Sequence, residues 1–134
     1  MNTLLLYLAM VAHTSFFQPA KPPAFDGHWE AYSKYDPSKV IGTLDIEKYL
    51  GKNYSCKYSY QNDEKEQGSD EYCNIFGFTM MGVYDGKSAL VTDMKGIVFT
   101  YHADTDIIVT TADGSDPFFH SPNCIGGIFM RVRK

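Results

Sequence analysis

Beyond residue 27 apolar and polar positions alternate with a period of two, interrupted at short intervals by turn-forming residues. No stretch carries the apolar spacing of an amphipathic helix. The alternation predicts strands at about 28–35 and 40–48, the first ending before Asp36-Pro37, the second placing Val40, Leu44 and Ile46 on one face. Leu50-Gly51-Lys52 reads as a turn. The clearest strand follows, with Tyr54, Cys56, Tyr58 and Tyr60 pointing one way and Ser55, Lys57 and Ser59 the other. A long run at 72–84 contains Gly77 and Gly82, which point to a bulge or sharp bend in a sheet that must curl. Asp85-Gly86 supplies a tight hairpin turn, because that pair readily reaches positive φ. Strands at 88–92 and 96–102 come next, and in the second Ile97, Phe99 and Tyr101 alternate with Val98, Thr100 and His102. A turn at 103–106 leads to a strand at 107–111, and a longer loop at 113–126 precedes the last strand at 127–133. About eight short strands joined mainly by tight turns predict an all-β fold, an antiparallel up-and-down meander closed or nearly closed into a barrel, since closure removes the sheet's edges.

The N-terminus has a different pattern. Residues 1–20 contain no Asp, Glu, Lys or Arg, and Leu4 to Ala12 form an apolar run of the length of a secretory h-region, too short to cross a bilayer. The segment is expected to be a signal peptide, although its n-region carries no basic side chain; the competing reading is a buried N-terminal strand. The proline-rich stretch after it, residues 21–24, reads as an extended linker, leaving 25–134 as a single domain. Its roughly 110 residues are enough for a hydrophobic core without obligatory covalent staples. The expected location is secreted or periplasmic, with no membrane-spanning segment after cleavage.

Composition sharpens this picture at three points. Ten Tyr, nine Phe and one Trp suit a sheet. The net charge of −4 is concentrated in one loop, where Asp63, Glu64, Glu66, Asp70 and Glu71 face only Lys65; the rest is balanced. With no basic stripe, the electrostatic footprint of a nucleic-acid binder is missing. The three cysteines allow one internal bridge at most. A hairpin symmetric about residues 64 and 65 brings Cys56 near Cys73, so a disulfide between them is expected, while a pairing of either with Cys124 stays open.

Phe25-Asp26-Gly27-His28-Trp29 places Gly-x-Trp at the start of the first strand. This opening resembles that of the lipocalin and avidin group of calycin-type barrels, and more loosely that of short secreted bacterial β-barrel proteins. The resemblance is carried by five residues and by the strand pattern. It implies that Trp29 plugs the closed end of the barrel under a basic side chain arriving late in the chain, Arg131 or Arg133, by cation–π contact.

Candidate chemistry is sparse. His102, His120 and Asp116 lack the spacing of a metal site, Asp104-x-Asp106 lacks the rest of a calcium loop, and no cofactor or metal is implied. Cys124 with His120 is a nucleophile pair only by proximity in sequence, and Ser88 and Ser115 lie outside any nucleophile elbow. An enzyme is the minority reading, since a hydrolase would require His102 or His120 within hydrogen-bond reach of a nucleophile. Two features support binding instead. Tyr54, Tyr58, Tyr60, Phe76, Phe78 and Tyr101 are expected to face the barrel interior, where they would line a pocket for a small apolar or aromatic ligand or fill a solid core. Phe118, Phe119 and His120, on the long 113–124 loop, are the alternative: a docking tip for a protein partner, acting as an interaction or inhibitor module without a ligand cavity.

Overall fold

A strand buried on one face needs every second side chain apolar, and the chain meets that demand around a complete circle. The computed structural model describes residues 22–33, 36–62, 73–116 and 127–133. Those residues form eight antiparallel strands and no helix: β1 (Gly27–Tyr32), β2 (Val40–Lys48), β3 (Asn53–Asn62), β4 (Cys73–Tyr84), β5 (Ala89–Thr92), β6 (Ile97–His102), β7 (Ile107–Ala112) and β8 (Gly127–Arg131). Each strand pairs with its neighbour in sequence, and β1 pairs with β8 to close the barrel. Closure is brief: Trp29 stands opposite Arg131 and Glu30 opposite Met130, and the Val132 N–H extends it by donating to the His28 carbonyl at 2.9 Å.

The inward positions are those the alternation assigns in most strands. Trp29, Leu44, Ile46, Cys56, Tyr58, Met80, Leu90, Ile97, Phe99, Ile108 and Phe129 are all fully or almost fully buried. Each such large apolar side chain contributes about 1.5–3 kcal/mol on leaving water. The tight turns have their expected chemistry: Asp85 Oδ1 accepts the N–H groups of Lys87, Ser88 and Ala89 at 2.8–3.1 Å, which fixes the β4–β5 hairpin.

The β3–β4 register differs from a symmetric hairpin about residues 64 and 65. Tyr54 pairs with Gly82, Cys56 with Met80 and Tyr58 with Phe78; after a one-residue shift Tyr60 pairs with Ile75 and Asn62 with Cys73. The expected Cys56–Cys73 bridge is therefore corrected. Cys73 stands opposite Asn62, six positions beyond Cys56 along β3, a separation of about 20 Å at the rise of a strand. A disulfide spans Cα atoms no more than about 7 Å apart. Register is set by matching apolar inward sets on the two strands, and Met80 and Phe78 win the places opposite Cys56 and Tyr58. Cys56 is a buried free thiol, and burial pushes its pKa up to about 12, so it is inert at neutral pH.

The closed end is built from both ends of the domain. Phe25 is fully buried beneath the barrel and meets Tyr54, Tyr84 and Tyr101 edge to face at centroid distances of 5.3, 5.8 and 6.1 Å. Trp29 Nε1 donates to the Phe25 carbonyl at 2.9 Å, tying plug to wall. Arg131 lies over the Trp29 ring at 4.2 Å and donates to the carbonyls of Asp26, at 2.9 Å, and Ala24. The β1–β2, β3–β4, β5–β6 and β7–β8 connections all leave from the opposite end.

Candidate ligand-binding groove

The rings expected inside divide into a packed set and one outlier. Tyr58 is fully buried and touches Tyr60, Phe99 and Phe129 at centroid distances of 6.2, 6.3 and 5.9 Å. A Cβ added at Gly42, beneath this layer, would lie 3.1 Å from both Tyr60 and Phe129. The rings therefore fill this level of the barrel closely enough that a methyl group at Gly42 would have to push them back by a few tenths of an ångström. Tyr54 is buried against Phe25, and Phe78 packs half-buried against the core. Tyr101 stands over Trp29 at 6.1 Å and donates its hydroxyl to Asp106 at 2.8 Å.

Phe76 is the correction. It points out of the barrel and is 93% exposed. The cause is a β-bulge: between the Tyr58–Phe78 and Tyr60–Ile75 pairs, β4 contains one residue more than β3. Gly77 adopts φ 62°, a left-handed conformation that suits glycine, and donates its N–H to Ser59 Oγ at 2.8 Å. The extra residue reverses side-chain parity, so Ile75 takes the inward place and Phe76 the outward one.

Beside Phe76, the outer face of β2, β3 and β4 encloses a groove of about 330 Å³. Its floor is cross-strand pairs: Thr43 opposite Ser59, Asp45 opposite Lys57 and Gln61 opposite Asn74. Val40 and Ile41 supply an apolar end wall. Polar outward residues on three adjacent strands thus converge on one ring, and a rigid sheet holds them.

A second network sets one side of this floor. His28 lies between two carboxylates, with Nδ1 2.5 Å from Asp45 Oδ1 and Nε2 3.1 Å from Glu30 Oε1, and Tyr32 donates to Glu30 Oε2 at 3.0 Å. The hydrogen bond to Asp45 raises the pKa of His28 above its ordinary value, against an opposing effect of burial; the Glu30 contact adds to the rise. The His28 ring spans β1 and β2 and fixes the Asp45 carboxylate at the groove's edge.

Arg131 and Arg133 take different roles. Arg131 covers Trp29, whereas Arg133 donates to Asp106 Oδ2 at 2.8 Å. Burial favours the neutral form of Asp106, but hydrogen bonds from Arg131, Tyr101 and Arg133 prevail and hold its carboxyl below the ordinary range. This group, in a residue at φ 53°, locks the β6–β7 turn to the closed end. The trio His102, His120 and Asp116 does not assemble in its described part. His102 ends β6 at the closed end, while Asp116 accepts the Lys95 N–H at the opposite one. Phe118, Phe119, His120 and Cys124, the acidic loop, the signal segment 1–20 and the Cys73 side chain lie outside what is described.

Two sites were missed by the sequence reading, the groove and the Phe25 plug. The signal for the first was Gly77 inside a strand pattern, which marks a bulge without saying which way the neighbouring ring turns. Comparisons of the chain with family models, with curated proteins and with solved structures find no match.

Proposed function

We propose that the chain is a secreted, calycin-like β-barrel that acts as a binding protein and takes its ligand on the outside of the wall, in the β2–β4 groove. The single observation that carries this reading is Phe76, displayed 93% exposed by a bulge in β4 beside the groove while the rings of β3 pack inward. Bulges commonly re-aim a side chain next to a functional site. Three neighbouring strands supply the groove's polar groups, which gives a binding surface with little to reorganise. A ligand inside the barrel, the arrangement often met in calycins, would have to displace the layer formed by Tyr58, Tyr60, Phe99 and Phe129. The calycin-like reading is supported by the Gly-x-Trp opening with Arg131 stacked on Trp29. Secretion is supported by the charge-free residues 1–20.

Amide-resolved NMR during titration with mixtures of small molecules tests this reading. Shifts are expected at Thr43, Lys57, Gln61, Asn74 and Phe76. Shifts centred instead on Tyr58, Phe99 and Phe129 would place the ligand in the interior and overturn it.

A further inference from the structure

The groove's chemistry narrows what it can hold. One wall is the ring of Phe76, 93% exposed, and the floor offers hydroxyl and amide groups from Thr43, Gln61 and Asn74. Among the described lining residues the charges are one of each sign, Asp45 and Lys57, and these stand directly opposite each other across β2 and β3. His28 holds Oδ1 of Asp45, and the Asp45 side chain lines the groove.

Three ligand classes fit poorly. An anion would meet the Asp45 carboxylate, with Lys57 the one cation among the described residues that line the groove. An apolar molecule would strip water from the amides and hydroxyls without replacing their hydrogen bonds, at about 1–3 kcal/mol for each group left unpaired. A peptide strand finds no free edge on the groove's floor, because β3 is paired on both sides, with β2 and with β4; the β4 edge over 73–81, which pairs with no strand among the described residues, faces away from β3. A sugar ring meets every feature. Its C–H face is apolar and flat enough to lie on an aromatic ring, and its hydroxyls donate and accept around the edge. The volume, about 330 Å³, is at the small end of ligand sites, enough for about one or two such rings.

Resting on the reading of this groove as the binding site, we infer that its ligand is a neutral saccharide, with one ring stacked on Phe76 and its hydroxyls held by Asp45, Gln61 and Asn74. An open groove that buries one face of a ligand binds weakly, at roughly high-micromolar to millimolar Kd.

The test is a 1H–15N NMR titration of the protein with methyl β-glucoside, methyl α-mannoside, lactose and cellobiose. Glucose 6-phosphate serves as the anionic comparison and indole as the apolar one. At least one neutral sugar is expected to shift the amides of Gln61, Asn74, Phe76 and Gly77 saturably, more strongly than glucose 6-phosphate does. Phe76→Ala should weaken that binding tenfold or more, and Phe76→Trp should restore it. Thermal unfolding of each variant shows whether it is folded. If indole shifts the groove amides and no neutral sugar does, the saccharide is refuted while the groove remains the site. If every shift falls on interior amides, both the saccharide and the groove are refuted. If no probe shifts the groove amides, the saccharide is refuted.

Discussion

The two sides of the β3–β4 wall use the same strands for opposite ends. On the inner side Tyr54, Cys56, Tyr58 and Met80 are sealed from water and pack against other strands. On the outer side Lys57, Ser59, Gln61, Asn74 and Phe76 surround an open groove. Both sides carry aromatic rings, and only their surroundings tell them apart. A ring touching rings on three sides is part of the packing, whereas a ring presented to solvent above hydrogen-bonding groups is open to the ligand proposed for it. The rings that look most like a binding pocket in the sequence are thus the ones that hold the barrel together.

The most severe way to break this contrast is from within. Tyr58→Ala removes a ring in contact with Tyr60, Phe99 and Phe129 and is expected to cost about 3–5 kcal/mol, read from urea unfolding. Next in size is the closed end. Arg131→Met keeps much of the side-chain volume but loses the contact with Trp29 and the bonds to Asp26, Ala24 and Asp106. A loss of about 2 kcal/mol is expected by the same measurement. A value near zero would mean that Phe25 and Trp29 hold the plug alone.

The bulge joins the two sides, and Gly77→Val attacks it directly. A β-branched residue at φ 62° is expected to cost about 1–2 kcal/mol of folding stability. Relief of that strain by removing the bulge would turn Phe76 inward, so the variant should also lose the groove shifts. Retention of both stability and shifts would show that the bulge does not determine where Phe76 points.

The pH dependence should separate the two ends of the molecule. Asp106 has a lowered folded pKa, so its contribution is present above the unfolded value near 3.8 and is lost as pH falls through the folded value. His28 has a raised folded pKa, so its contribution is present below 6.5 and is lost as pH rises through the folded value. Both groups are partly exposed and screened, and the effects are correspondingly small. Unfolding midpoints followed from pH 5 to 9 should show a His28-dependent decline that is absent in His28→Asn. A rise over that range would contradict the pairing of His28 with Asp45 and Glu30.

Much of the fold is legible from alternation alone. The inward sets Leu44 and Ile46, Tyr54 to Tyr60, and Ile97 and Phe99 follow from period two, and the strand count from the turns between them. Closure follows from the penalty of unpaired edges. What alternation could not supply was register. One added residue in β4 moves Phe76 across the wall, and the centre of a long hairpin cannot be read to within a residue, which is why Cys56 and Cys73 looked like partners. The groove was hidden for a related reason. Its residues come from three strands and are neighbours only after the register of both pairs is known. The Phe25 plug was invisible because a single aromatic beside a proline-rich stretch carries no periodicity.

The smallest expected effect on stability tests the central claim most directly. Phe76→Ala should leave the thermal unfolding midpoint unchanged, because the ring is outside the core, while abolishing the groove shifts seen with the best-binding neutral sugar. A fall in the midpoint of more than about 4 °C, the mark of roughly 1 kcal/mol in a domain of this size, together with undiminished sugar binding, would show that Phe76 belongs to the scaffold and would contradict the account.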